Sequence, residues 1–149
     1  MKRLLFAGTA IVVMTAAAAS WAAMDPTATR KAVMKNNGAA MGALVKMAKG
    51  EAPFEANAAN LAVRVLYNGS IGYTGLFPAG TETGGDTEAS PKIWEDMAGF
   101  EAKSEALSAA TAAVIATPIT DLDGVKAALG AIGKTCQGCH ETYRIKKDG

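Results

Sequence analysis

Cys136-Gln137-Gly138-Cys139-His140, close to the C-terminus, contains both cysteines of the chain and its only histidine. Two thiols three residues apart, followed directly by an imidazole, form the pattern for covalent attachment of a c-type haem. Each thiol can add to one vinyl group of the porphyrin, and the imidazole behind them can reach the iron as proximal ligand. On a helix, Cys136 and Cys139 are nearly one turn apart, and His140 lies about 40° around from Cys136. One helix face can therefore carry all three side chains. A thioredoxin-like dithiol would open a helix after a strand, whereas here the motif falls late in a helical pattern with no strand before it. A tetrahedral zinc site lacks further Cys or His to complete it. The motif predicts one covalent haem c.

The same helical pattern extends backwards from the motif. Leu122, Val125, Leu129, Ile132, Cys136, Cys139 and Tyr143 step by three or four residues, which predicts a helix from Thr120 or Asp121 to about Lys146. Arg144, Lys146 and Lys147 suit its negative C-terminal end. Gly130, Gly133 and Gly138 are costly in a helix interior. They imply either that a flat, bulky group approaches this backbone or that helices crowd there.

Three more blocks precede it. The first spans about Pro26 to Lys49, with Asp25 as N-cap and Pro26 at the first helical position. Arg30, Met34, Asn37, Met41, Leu44, Val45 and Ala48 share one of its faces, and Met47 points elsewhere. Gly50 and Pro53 end it. The second spans about Phe54 to Tyr73, with Leu61, Val65 and Leu66 as its apolar stripe. A Gly- and Pro-rich connection follows over residues 75–90. The third is expected to run unbroken from Ser90 as N-cap, through Pro91, to Pro118, with Glu95 and Asp96 favoured by its positive end. Ile93, Trp94, Met97, Phe100, Leu107, Ala110 and Val114 recur along it, and Trp94 is expected to be core. Four amphipathic blocks without a convincing strand predict an all-α, antiparallel four-helix bundle with the haem in its core.

Residues 1–23 read as a secretory signal peptide. Lys2 and Arg3 precede the apolar stretch Leu4 to Val13, and Ser20-Trp21-Ala22 offers small residues at a cleavage site. The expected domain is 24–149, about 126 residues and enough for one core. Without Lys2 and Arg3, thirteen basic residues face fourteen acidic ones. That balance points to neither nucleic acid nor an anionic membrane surface as partner. After cleavage no stable membrane insertion is expected, and the compartment is the periplasm. Catalysis by the polypeptide is not expected, because there is no second histidine for general-base work and no phosphate-cradling loop.

With a single histidine, the second axial position falls to Met, to Lys, or to nothing. Met34 and Met41 lie two turns apart on the apolar face of the first block, and spacing alone does not decide between ligation and packing.

The chain resembles the class II c-type cytochromes, the cytochrome c′ and cytochrome c-556 group, over essentially the whole mature part. The matching stretches are Ala48-Lys49-Gly50-Glu51-Ala52-Pro53-Phe54-Glu55, Gly84-Gly85-Asp86 with Pro91-Lys92-Ile93-Trp94, and Gly133 to Arg144 around the haem motif. Val33-Met34-Lys35-Asn36-Asn37-Gly38 looks like the c-556 pattern, in which a methionine holds the distal position. The resemblance implies His140 and Met34 as axial ligands, a low-spin iron, and a one-electron carrier working with redox partner proteins as a monomer or homodimer. The alternative it implies is a five-coordinate cytochrome c′ that binds NO or CO. It also implies that Arg30 contacts a haem propionate and that Arg144 packs beside the proximal imidazole.

Overall fold

The computed structural model describes residues 25–83 and 86–145. The signal-peptide expectation, Gly84-Gly85, and the basic residues Lys146 and Lys147 lie outside the described residues. Helices run over Pro26–Ala48 (α1), Ala56–Ser70 (α2), Lys92–Glu95 (α3), Met97–Ala116 (α4) and Leu122–Tyr143 (α5), with a 3₁₀ turn at Tyr73–Leu76. The long helices form an antiparallel four-helix bundle. Here α1 and α4 each pack against both α2 and α5. Among the described residues no helix is long and apolar enough to cross a membrane.

The boundaries follow local chemistry. Asp25 caps α1 by accepting from the Thr27 backbone N–H at 2.9 Å. The helix closes with paired bonds from the Gly50 N–H to the Met47 carbonyl and from the Glu51 N–H to the Lys46 carbonyl. Gly50 sits between them at φ 73°, the left-handed conformation this ending requires. Asp121 caps α5 by accepting from the Gly124 N–H at 2.8 Å.

Five expectations need correction. Met47, expected to point away from the shared face of the first block, is buried in the core beside Leu44. The third block is not one helix: it breaks at Asp96, whose backbone leaves the helical region (φ −139°, ψ 59°) and whose carboxylate caps α4 by accepting from the Gly99 N–H. An acidic residue near a helix start satisfies the dipole argument equally well as cap or as first-turn residue, so sequence alone did not separate the two. Leu61 is 62 % exposed. Leu66 of the expected stripe is buried and Val65 packs against the core, and the rest of the buried face of α2 is Ala59, Ala62, Val63 and Ser70, because small residues let the α2 backbone approach its neighbours. The last helix ends at Tyr143, and Arg144 continues as extended chain that bridges to Ala89. The Ser90 N–H donates to the Tyr143 carbonyl, and the Ile145 N–H to the Glu88 carbonyl. Finally, a side chain at Gly130 or Gly133 would meet nothing within 4 Å. Crowding between helices does not explain these two glycines.

The interior has two parts. An aliphatic cluster contains Leu44, Met47, Val63, Leu66, Val125 and Ile132, with Met41 and Cys136 packed against it. An aromatic cluster contains Phe77, Ile93, Phe100 and Tyr143, with Tyr73, Trp94 and Cys139 packed against it.

Candidate haem site

A cavity of about 570 Å³ lies between these two clusters, lined by residues of α1, α2, α4 and α5. Cys136, Cys139, His140, Met34, Arg30 and Arg144 all line it. The six residues singled out in the sequence therefore converge on one space, reached from α1 on one side and α5 on the other. Because α1 and α5 run antiparallel, the start of α1 adjoins the end of α5. Arg30 accordingly belongs with the aromatic cluster, and Met41 with Cys136 at the aliphatic end.

The two thiols are free and half-buried on successive turns. Burial pushes both above the usual thiol range, so both are protonated at neutral pH. Desolvation, helped by the Arg144 cation, holds the His140 imidazole below its usual value. A neutral ring is the form that ligates iron. The Arg144 guanidinium, also on the cavity lining, is held by Glu88, with Nε donating to Oε2 at 2.7 Å. A second, shallower depression lies on the outer side of His140, between Gln137, Glu141 and Ile145.

Arg30 is 3 % exposed, a rare state for a cation. Its Nε donates to the Leu76 carbonyl at 2.6 Å and its Nη1 to the Thr81 carbonyl at 3.1 Å, while Nη2 donates to Thr81 Oγ1. The guanidinium also lies 4.1 Å from the Phe77 ring centre and 5.3 Å from that of Trp94. Such a stack is favourable for a desolvated cation. Arg30 thus fastens the segment after the 3₁₀ turn against α1, and with it Phe77, which forms part of the cavity wall.

Of this aromatic wall the sequence placed Trp94, Phe100 and Tyr143 on apolar helical stripes but missed Tyr73 and Phe77. Tyr73 and Phe77 fall where helix pattern gives way to loop, so no periodicity marks them. In space Phe77 meets Tyr73 at 5.2 Å, Phe100 at 4.8 Å and Trp94 at 5.7 Å between ring centres, all edge to face. Phe100 meets Tyr143 at 5.3 Å. Tyr143 OH donates to Asp96 Oδ2 at 2.7 Å, tying α5 to the break before α4.

Several features of the cavity fit a covalently attached haem. Its lining is mainly apolar and aromatic, and its volume lies in the range of cofactor sites. The thiols and the imidazole share one wall. A side chain at Gly38, on the opposite wall, would meet nothing within 4 Å. Asn37 beside it is buried with an unpartnered amide oxygen. Among the described residues no group of three or more His, Cys, Asp and Glu side chains could hold a metal ion directly.

A helical bundle whose cavity is bordered by a Cys-x-x-Cys-His helix defines a c-type haem protein. More specifically, residues 25–144 match the family model described as Cytochrome C′, and the chain belongs to that family. Members of the family bind a covalent c-type haem. The chain is 42 % identical to cytochrome c-556 of Agrobacterium fabrum, covering 79 % of this chain and 80 % of that one. It is 40 % identical to cytochrome c′ of Rhodopseudomonas palustris, covering 83 % and 84 %. A solved cytochrome c′ from Rhodopseudomonas palustris superposes with a TM-score of 0.79 at 40 % identity, covering 83 % of this chain and 98 % of that one. The family comprises electron carriers and gas-binding haem proteins.

Proposed function

We propose that this chain is a periplasmic one-electron carrier with one haem c joined through thioethers to Cys136 and Cys139, and with His140 and Met34 as axial ligands. The bound haem supplies an iron that cycles between ferrous and ferric states; no substrate is turned over. Cys136 and Cys139 fix the group to α5 so that it cannot dissociate. His140 offers a neutral nitrogen from the same wall. Met34 offers a thioether from α1, a soft donor that favours the ferrous state and raises the potential. Arg144 would pack beside the proximal imidazole, and Arg30 would add positive charge toward a haem carboxylate while its Nε, Nη1 and Nη2 hold Leu76 and Thr81. Partners are redox proteins, with the chain acting as monomer or homodimer and no part for nucleic acid or membrane insertion.

The observation carrying this reading is the different placement of the methionines. Met34 borders the cavity that His140 borders, and it belongs to neither packed cluster. Met41 also borders the cavity but packs against the aliphatic core, and Met47 is buried within that core. Among the described methionines, Met34 is the one that belongs to neither packed cluster.

The similar degree of likeness to proteins named cytochrome c-556 and cytochrome c′ makes a five-coordinate, NO- or CO-binding protein the rival. Absorption spectra of both oxidation states decide between them. The carrier shows a far-red methionine–iron charge-transfer band when ferric and binds CO poorly when ferrous. Met34→Leu abolishes the band and opens the iron to CO. If Met41→Leu abolishes it instead, the ligand is misassigned. A high-spin native protein that takes up CO readily overturns the carrier reading.

A further inference from the structure

Charge is distributed unevenly over the bundle. Within α1 stand Arg30, Lys31, Lys35 and Lys46 without any acidic residue, and Lys49 follows as the C-cap. Arg30 is turned inward, but Lys31, Lys35, Lys46 and Lys49 are all exposed. At about 100° per residue the four lysines fall within about 60° of one another, in a stripe about 27 Å long. Gly38 and Gly42 occupy the middle of that stripe, and a side chain at either would meet nothing within 4 Å. The helix diagonally across the bundle is α4, since α1 and α4 each pack against both α2 and α5. There the balance is reversed: Glu95, Asp96, Glu101 and Glu105 face only Lys92 and Lys103 between the start of α3 and the end of α4. The molecule therefore has a basic corner and an acidic corner opposite it. A field of that form orients a charged partner before contact.

The basic stripe borders the haem site. Lys31 and Gly38 are exposed and also line the cavity. At Gly38 the wall has no side chain, so only the α1 backbone stands between cavity and solvent. Met34, one turn earlier on α1, lines the same cavity. The ends of the stripe are already paired: Lys31 Nζ lies 3.2 Å from Asp86 Oδ2 and Lys49 Nζ 3.8 Å from Glu51 Oε1. Lys35 and Lys46, on either side of the two glycines, have no ion-pair partner among the described residues. Acidic groups of a partner can pair with these two lysines while its surface rests on the bare backbone between them.

We infer that the exposed lysine face of α1 is the docking surface for a redox protein with an acidic surface around its own cofactor, and that Gly38 marks the point of closest approach. The inference rests on the carrier reading above. One electron passes between the partner and the iron; no bond is made or broken and no proton moves. Two other occupants suit the face less. A second copy of this chain on the same stripe would bring two rows of lysines together. An anionic membrane surface holds a helix through apolar side chains as well as charge, and the exposed large apolar residues Leu61, Ile71, Leu122 and Ile145 all lie off α1.

The test uses the holoprotein, with an acidic flavodoxin in its hydroquinone form as electron donor. Lys35→Glu combined with Lys46→Glu should lower the second-order rate constant for haem reduction about tenfold at low ionic strength. The gap should close in about 0.5 M salt, where exposed charges are screened. Arg64→Glu combined with Lys134→Glu changes the net charge equally at exposed positions of α2 and α5, and should slow reduction much less. Hexaammineruthenium(II), a cationic donor, should react faster with the stripe variant than with the native protein. A shift in haem potential would move both donors in one direction, so opposite signs isolate docking. Oxidised flavodoxin added to isotope-labelled ferrous holoprotein should shift the amide resonances of Lys35, Gly38 and Gly42. Equal slowing in the two double variants, or none in the stripe variant, overturns the inference. So does a native dimer, or native binding to vesicles of anionic lipid, that the stripe variant abolishes. Failure of the carrier reading shows differently: the native protein is then high-spin and takes up CO, whatever the salt dependence.

Discussion

The two halves of the interior are built on different terms. At the aliphatic end Leu44, Leu66, Val125 and Ile132 are fully buried, drawn from α1, α2 and α5, and they touch one another across the bundle. None of these four side chains lines the cavity. At the aromatic end Phe77, Phe100 and Tyr143 meet edge to face, but they also form a wall of the cavity. Their positions depend on polar fastenings: Arg30 to the segment 76–81, and Tyr143 to Asp96. The closed half holds the helices together. The open half shapes a space, and it carries most of the residues with chemistry to offer.

Removing the attachment should separate the halves most sharply. The double substitution Cys136→Ser, Cys139→Ser abolishes the covalent link, so the haem stain seen after denaturing electrophoresis disappears. Far-UV circular dichroism should keep most of its helical signal, while the near-UV signal of the aromatic cluster weakens. A variant that still carries haem through denaturation shows that the attachment lies elsewhere. A variant that loses all helix shows that the aliphatic half cannot stand by itself.

The converse change is Leu66→Ala. Leu66 is 0 % exposed and belongs to the closed half. Its truncation should cost about 2–5 kcal/mol of stability, read from denaturant unfolding of the holoprotein, with the absorption spectrum unchanged. A spectral shift of the size seen with Met34→Leu would mean the two halves are mechanically coupled.

The same contrast explains what the sequence disclosed. The closed half is periodic: Val125, Ile132 and Leu44 sit where helical spacing puts them. The attachment motif is local, five consecutive residues whose spacing carries its own chemistry. The break at Asp96 was not legible, because the apolar residues before and after it keep one helical phase. The exposure of Leu61 was equally hidden, since periodicity picked out its size while Ala59 and Ala62 formed the true contact. Arg30 shared a face with Met34 in the sequence, but its grip on Leu76 and Thr81 spans a loop of no regular period. Asn37 could be placed on the core face; that it faces Gly69 depends on how α1 and α2 meet.

The smallest expected effect probes one fastening of the open half. The hydrogen bond from Tyr143, followed by that from the Gly99 N–H, holds the Asp96 carboxyl below its usual range. A carboxyl depressed in the folded state contributes stability above its unfolded pKa, near 3.9, and that contribution is lost as the pH falls through the folded value. The same bond pushes the Tyr143 phenol up to about 12. A phenol raised in the folded state contributes stability below its unfolded pKa, near 10, lost as the pH rises through the folded value. The fastening should therefore act fully from about pH 5 to 9 and fail on both sides. Tyr143→Phe keeps the ring against Phe100 and removes only the hydroxyl, so the variant should lose a small, constant increment across that plateau. Its stability should then fall less steeply than that of the native protein at either extreme. Some acid dependence should survive, because the Gly99 N–H still donates to Asp96 at 3.1 Å. Unfolding curves collected across the pH range give the comparison directly. Parallel native and variant profiles would show that the bond between α5 and the start of α4 contributes no pH-dependent hold on the aromatic wall.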